Sequence, residues 1–253
     1  MITLNTIVYE GNFRDVLSVG GWFLDFKTKY ITKKMITVNN INSKDEFKEI
    51  IDRITKFIDL DVVYVDDFKT QMINKYKLYI NESNIGYIYT IPYFVTIDNI
   101  KTEFILNVAS DCMGDIRISD EFLEKAIIEL RTNLLCSTTM VAWTKNNYIM
   151  KNNRKIGEHE EIETLKILDR QINPSDRFNY SAGFTDQFFM GVVEKLKKID
   201  YNISESHSNI IYHGPSYGGN SFEKRMVAHQ IYNNTYNCIY KGDDYYIHDK
   251  NYY

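Results

Sequence analysis

The sequence predicts an α/β fold with a mainly parallel central sheet, and three observations carry the prediction. Short, β-branched apolar runs recur along the first two-thirds, each followed by a segment with helical spacing. The first of these runs lacks strict alternation, as a strand covered on both faces does. A polar group follows every run, where the carboxyl ends of parallel strands open a ligand crevice.

Thr3 to Val8 (TLNTIV) is the first strand. Asn12 to Phe26 then places Phe13, Val16, Leu17 and Phe23 at helical spacing, interrupted by Gly20-Gly21. Met35 to Val38 is the second strand. Ser43-Lys44-Asp45-Glu46 reads as a capping box, in which the serine and glutamate satisfy free helix amides reciprocally. Behind it, Phe47, Ile50, Ile51, Ile54, Phe57 and Ile58 make one apolar stripe. Asp61 to Val65 is the third strand, and Gly86 to Ile97 reads as a helix broken at Pro92. Phe104 to Val108 is the fourth strand and runs into Ala109-Ser110-Asp111. Ser119 caps a helix with Phe122, Leu123, Ala126, Ile127 and Leu130 on its apolar face.

The last third is less regular. Ser137 to Trp143 reads as a strand, Lys145 to Lys155 as a polar loop, and Ser208 to Tyr212 as a further strand. Helical patterns lie around Glu160–Ile172, Asp186–Lys198 and Phe222–Tyr232. The tail after Asp243 is low in apolar pattern and is expected to be disordered. No repeat or linker divides the chain, so one domain is expected over its 253 residues, near the upper end of what one core organises.

Composition excludes several function classes. The net charge is −4 and no Lys/Arg run forms a stripe, which argues against a nucleic-acid partner. Cys112, Cys136 and Cys238 are odd in number and lack metal-ligand spacing, as expected of a reducing compartment. The sequence opens on a strand rather than a leader, and no apolar run nears the roughly 18 residues of a membrane span, so a cytoplasmic location is expected. The 20 tyrosines are spread along the whole chain, as an A/T-rich coding bias would leave them.

The polar groups after the four strands are Tyr9-Glu10-Gly11-Asn12, Asn39-Asn40, Asp66-Asp67 and Ser110-Asp111-Cys112. Turn chemistry alone favours such residues, but four in register along one edge suit a binding crevice. The order of elements, with FILNVASD followed by a helix opening SDEFLEKAI, resembles the GT-A glycosyltransferases, especially the inverting family two. The resemblance spans roughly residues 1–232. It implies a GT-A (Rossmann-like) three-layer sandwich and transfer of a sugar from a nucleotide-diphosphate donor, UDP above all, to a hydroxyl of a glycan or other acceptor. Within a single domain it implies a nucleotide-sugar-binding half over 1–115, an acceptor-binding and catalytic half over 116–242, and the tail over 243–253.

Residue roles follow from the same resemblance. The family's fourth-strand motif is D-x-D, whose last carboxylate holds a divalent metal on the donor diphosphate. Here it reads Ala109-Ser110-Asp111, so Asp111 is the implied metal and donor ligand, for Mn²⁺ or Mg²⁺. Asp115 is either a substitute ligand or a turn residue. Tyr9, Glu10, Asn39 and Asn40 correspond to positions that hold the nucleotide, although Asn39-Asn40 also suits a plain turn. Asp186, in Gly183-Phe184-Thr185-Asp186, corresponds to the base that takes the acceptor proton, and a cap on the following helix is its other reading. His213-Gly214-Pro215-Ser216-Tyr217-Gly218-Gly219 resembles a late segment closing over the phosphates, with His213 at the metal and Ser216 at the donor. Two other classes stay open. A sugar-nucleotide nucleotidyltransferase would carry a Gly-rich basic loop where this chain has YEGNFRD, and a non-catalytic nucleotide- or carbohydrate-binding module is compatible with Ala109.

Overall fold

The computed structural model describes residues 1–18, 21–78, 90–110, 118–132, 136–138, 140–145, 148–151, 178–181, 184–201, 221–233, 235, 237–240 and 244–248. Its strands are β1 (Ile2–Val8), β2 (Ile31–Val38), β3 (Leu60–Tyr64), β4 (Phe104–Val108), β5 (Cys136–Thr138), β6 (Met140–Lys145), β7 (Tyr148–Lys151), β8 (Phe178–Ser181), β9 (Phe188–Val192), β10 (Asn237–Tyr240) and β11 (Tyr245–His248). The helices are α1 (Phe13–Val16), α2 (Trp22–Asp25), α3 (Lys44–Ile54), α4 (Val65–Lys75), α5 (Ile91–Asn99), α6 (Asp120–Leu130), α7 (Val193–Lys197) and α8 (Phe222–Asn233).

Eight strands form one sheet in the order β3-β2-β1-β4-β9-β5-β10-β8. The four strands expected from the sequence are neighbours and all parallel, with Val8 opposite Val38, Val38 opposite Tyr64 and Asn5 opposite Asn107. Beyond β4, β9 runs against both β4 and β5. A smaller sheet joins β11, β6 and β7. Side chains alternate between two buried layers. Leu4, Ile36, Leu106 and Phe188 meet α1, α2, α3 and α6 on one face. Met35, Ile105 and Phe189 meet α4, α5, α7 and α8 on the other. Helices cover both faces, which is why β4 is buried at every position. Each such aliphatic or aromatic side chain contributes about 1.5–3 kcal/mol by leaving water.

Several expectations are corrected. The helix expected over Asp186–Lys198 is instead strand β9 followed by the short α7. Phe188, Phe189 and Met190 are all buried, on alternating faces, so tertiary burial overrides a spacing that also fits a helix. Pro92 stands in the first turn of α5, where a missing N–H costs nothing, and residues 86–89 of the expected helix lie outside the described residues. The segment Asn12–Phe26 is two single-turn helices, and Gly21 is the N-cap of the second. The helix ends at Ile54; beyond it Ile58 still packs against the core, whereas Phe57 is exposed. Part of the 145–155 loop is β7, paired antiparallel with β6. The tail is tied down: β11 pairs parallel with β6, and buried Asp244 accepts hydrogen bonds from Ser119 N and, at 3.0 Å, Ser119 Oγ. Ser119 caps α6 as expected, accepting from Phe122 N at 3.1 Å. The expected helix at 160–172 and strand at 208–212 lie outside the described residues. No helix among the described residues is long and apolar enough to cross a membrane.

Candidate functional site

The carboxyl ends of β2, β1 and β4 lie side by side, and the chain leading into β9 reaches the same edge. Backbone and side-chain bonds knit this edge together. Asn39 N donates to Val8 O at 2.8 Å, joining the ends of β1 and β2. Asn12, 5% exposed, accepts from Tyr9 N at 2.9 Å and donates through Nδ2 to Ser110 Oγ. One buried amide thus bridges the end of β1 to the residue just before Asp111. Ala109 N donates to Gln187 O at 2.6 Å, extending the β4–β9 ladder in which Val108 faces Phe188. Asp186 directly precedes Gln187, so it stands where the chain meets the end of β4.

Tyr9 is exposed, and its ring lies so close to Gly11 that a Cβ there would come within 2.9 Å of Cε2. Glu10 is committed to the α3 end. Its carboxylate accepts from Asn42 N at 2.8 Å, Ser43 N at 3.0 Å and Ser43 Oγ at 2.6 Å, and meets Arg14 at 3.4 Å. The Ser43 hydroxyl first, then these amides and the guanidinium, hold the Glu10 carboxyl at about 2. This overturns the capping box. Ser43 makes no side-chain cap bond; its hydroxyl donates to Glu10 and accepts from Arg14 Nη2 at 3.3 Å, and Glu46 pairs with Arg14 at 2.5 Å. Asn40 takes a positive φ of 54°, a left-handed turn conformation that Asn tolerates, and is exposed beside half-buried Asn39. Asp66 and Asp67 open α4, where a helix N-terminus favours carboxylates.

Asp186 has its peptide held from three elements. Its N–H donates to Glu223 Oε1 at 3.0 Å, in the first turn of α8. Its carbonyl accepts from Asn107 Nδ2 on β4 at 3.1 Å and from Tyr93 Oη on α5 at 3.4 Å. Asn107 is fully buried and its own oxygen accepts from Asn5 Nδ2 at 2.8 Å, which turns its amide nitrogen toward Asp186. Asn5 Oδ1 in turn accepts from Thr37 Oγ1 at 3.2 Å, and Thr37 shares a hydrogen bond with Thr96 at 2.6 Å. A line of buried polar groups therefore crosses β2, β1 and β4 and ends on the Asp186 carbonyl.

The structure thus brings Asp186, Tyr9, Glu10, Asn39 and Asn40 to one edge, with the chain at Ser110. Asp111, Asp115, Ser216 and His213 lie outside the described residues. No group of three His, Cys, Asp or Glu side chains that could hold a metal occurs among the described residues. Sequence reasoning put Asn12 at this edge without a role for it, and missed Asn107 and Glu223. Asn5 and Asn107 carried a signal, since an amide at the centre of an apolar strand needs a buried partner. Glu223 carried none, because a carboxylate in a first helical turn is ordinary.

The sequence matches no family model and no curated protein. The fold matches solved structures of GT-A glycosyltransferases. GalNAc-T7, solved with UDP, GalNAc and Mn²⁺, superposes with a TM-score of 0.60 at 11% identity, over 98% of this chain and 43% of that one. TarS 1-349 of S. aureus superposes with a TM-score of 0.51 at 12% identity, over 98% of this chain and 60% of that one. Its complex with UDP-GlcNAc gives 0.51 at 13%, over 98% and 58%. The chain has the GT-A fold. It spans about 60% of the TarS 1-349 chain, 36% of the longer TarS chain and less than half of the GalNAc-T7 chain.

Proposed function

We propose that this chain transfers a sugar from a nucleoside-diphosphate sugar, a UDP-sugar foremost, to a hydroxyl of a glycan or other acceptor, with inversion at the sugar. The observation that carries this reading is the Ala109 N to Gln187 O bond, which joins the chain just after Asp186 to the end of β4, at the edge where β1 and β2 also end. In open α/β sheets that edge is where ligands bind. The GT-A neighbours support the donor class: TarS was solved with UDP-GlcNAc and GalNAc-T7 with UDP.

Tyr9, Asn39 and Asn40 line the nucleotide end, and Glu10 fixes the β2–α3 connection beside them. Asp186 takes the proton as the acceptor oxygen attacks the anomeric carbon, and the bond from that carbon to the diphosphate breaks. Ser216 serves the donor phosphates. A carboxylate and an imidazole suit Mn²⁺ or Mg²⁺, so Asp111, next to Ser110, and His213 would hold the ion, which supplies charge neutralisation on the departing diphosphate.

Calorimetry with UDP, in Mn²⁺ and in chelator, tests the donor site. Binding strengthened by Mn²⁺ in the natural protein and insensitive to Mn²⁺ in Asp111→Asn is expected. Unchanged metal-assisted binding in that variant removes Asp111 from the site. Asp186→Asn should keep UDP affinity while turnover falls by about 10²–10⁴-fold, the usual contribution of a general base.

A further inference from the structure

We infer that Glu223 is a positioning residue for Asp186, acting through the peptide N–H and opposed by Asn107 on the carbonyl. The inference rests on the reading of Asp186 as the base. Asp186 stands in an irregular stretch ahead of β9, outside any helix or strand. A base must nevertheless be held to within fractions of an ångström of its proton.

The geometry supplies that hold from outside the segment. Glu223 Oε1 takes the amide at 3.0 Å and Asn107 Nδ2 supplies the carbonyl at 3.1 Å, so the two ends of one residue are gripped by α8 and β4. Neither grip involves the carboxylate of Asp186. Both grips are themselves rigid. Glu223 follows Phe222, which is fully buried, and Asn107 is oriented by Asn5. A charged acceptor on a backbone amide also makes a shorter and stronger bond than a neutral one. Asn107 has no charge and is locked in the sheet, so Glu223 is the grip whose removal leaves the core intact.

The test compares Glu223→Ala, Glu223→Gln, Asp186→Asn and the double variant Asp186→Asn/Glu223→Ala. Glutamine keeps an acceptor oxygen and serves as the rescue. Hydrogen exchange at the Asp186 amide is the readout that needs no substrate. It should be faster in Glu223→Ala and near the natural rate in Glu223→Gln; equal protection in all three proteins overturns the clamp. Turnover is followed by UDP release from whichever of UDP-glucose, UDP-galactose, UDP-GlcNAc and UDP-GalNAc the natural protein consumes fastest. Glu223→Ala should lower kcat by about 10²-fold, the scale of a small misplacement, with donor KM unchanged. The double variant should be no slower than Asp186→Asn. Losses that multiply mean that Glu223 acts independently and overturn the inference while leaving Asp186 as base. Full turnover in Asp186→Asn overturns the base itself, and a slow Glu223→Ala beside it would make Glu223 the acting group.

Discussion

Replacing Phe222 by alanine should cost this fold about 3–5 kcal/mol, the range for losing a buried aromatic ring. Phe222 is wholly buried at the first position of α8. Its ring stacks on Tyr93 at 4.6 Å and 6°, and Phe94, Phe184, Phe189 and Tyr201 surround it at centroid distances of 5.8, 5.5, 6.0 and 5.9 Å. Burial alone accounts for about 1.5–3 kcal/mol, and a favourable ring pair adds about 0.5–1.5 kcal/mol beyond area. The surrounding rings come from α5, α7's neighbourhood and β9, so the gap has rigid walls and collapses poorly. At about 2–4 °C per kcal/mol for a domain of this size, the melting temperature should drop by roughly 6–20 °C. Thermal and urea unfolding measure this directly. A double-mutant cycle with Tyr93→Leu isolates the stacked pair and should give a coupling of about 0.5–1.5 kcal/mol. A loss below about 1 kcal/mol for Phe222→Ala would mean that the site can refill, and would refute the picture of a rigid aromatic cluster under Asp186.

Three further outcomes are expected. Burial, the dominant cause, pulls the Lys34 ammonium from 10.5 down to about 8, although Phe23 O and Leu24 O accept from it at 2.7 and 2.5 Å. Between those values the unfolded chain holds a proton that the folded chain has lost, so stability should climb as pH rises from about 8 to 10.5. Urea midpoints across that window should show the climb in the natural protein and a flatter profile in Lys34→Met. Glu10, with its carboxyl held at about 2 against an ordinary 4.5, contributes stability above 4.5 that disappears as pH falls toward 2. Glu10→Gln should shallow the acid limb of the stability profile and leave the alkaline limb alone. Ser119→Ala removes the cap on Phe122 N and one of the partners of buried Asp244, and should lower stability by about 0.5–2 kcal/mol in chemical denaturation, with a value near zero ruling out the cap.

The parallel half of the fold was legible because its strands are short β-branched runs separated by helices; all four are present, although β2 begins earlier, at Ile31, and Val65 opens α4 instead of ending β3. The FFMGV run was not. Five apolar residues followed by Val193, Leu196 and Ile199 fit a helix as well as a strand, and the vacant edge of β4 decides between them. Asp186 was legible as an acidic residue before an apolar run, but its true setting, ahead of an antiparallel strand that pairs with β4, was not. The capping box failed for a related reason. A local motif was outcompeted by Glu10 and Arg14, which are adjacent to Ser43 and Glu46 in space and remote in sequence. The tail has no apolar period, yet Asp244 and the β11 backbone tie it to α6 and β6.

The way α3 is started has a consequence for the order in which this chain folds. The two residues just ahead of it, Asn42 and Ser43, are held through their amides by Glu10, some 32 residues earlier, with Arg14 taking Glu46 at the same separation. A peptide cut to contain α3 alone would therefore lack its anchor and form the helix poorly, since short helices are marginal without outside help. In the whole chain, α3 gains its start only after β1 and its turn have come alongside β2. Interactions of Glu10 should accordingly be absent early and present late, so that Glu10→Gln speeds unfolding while leaving the refolding rate nearly unchanged.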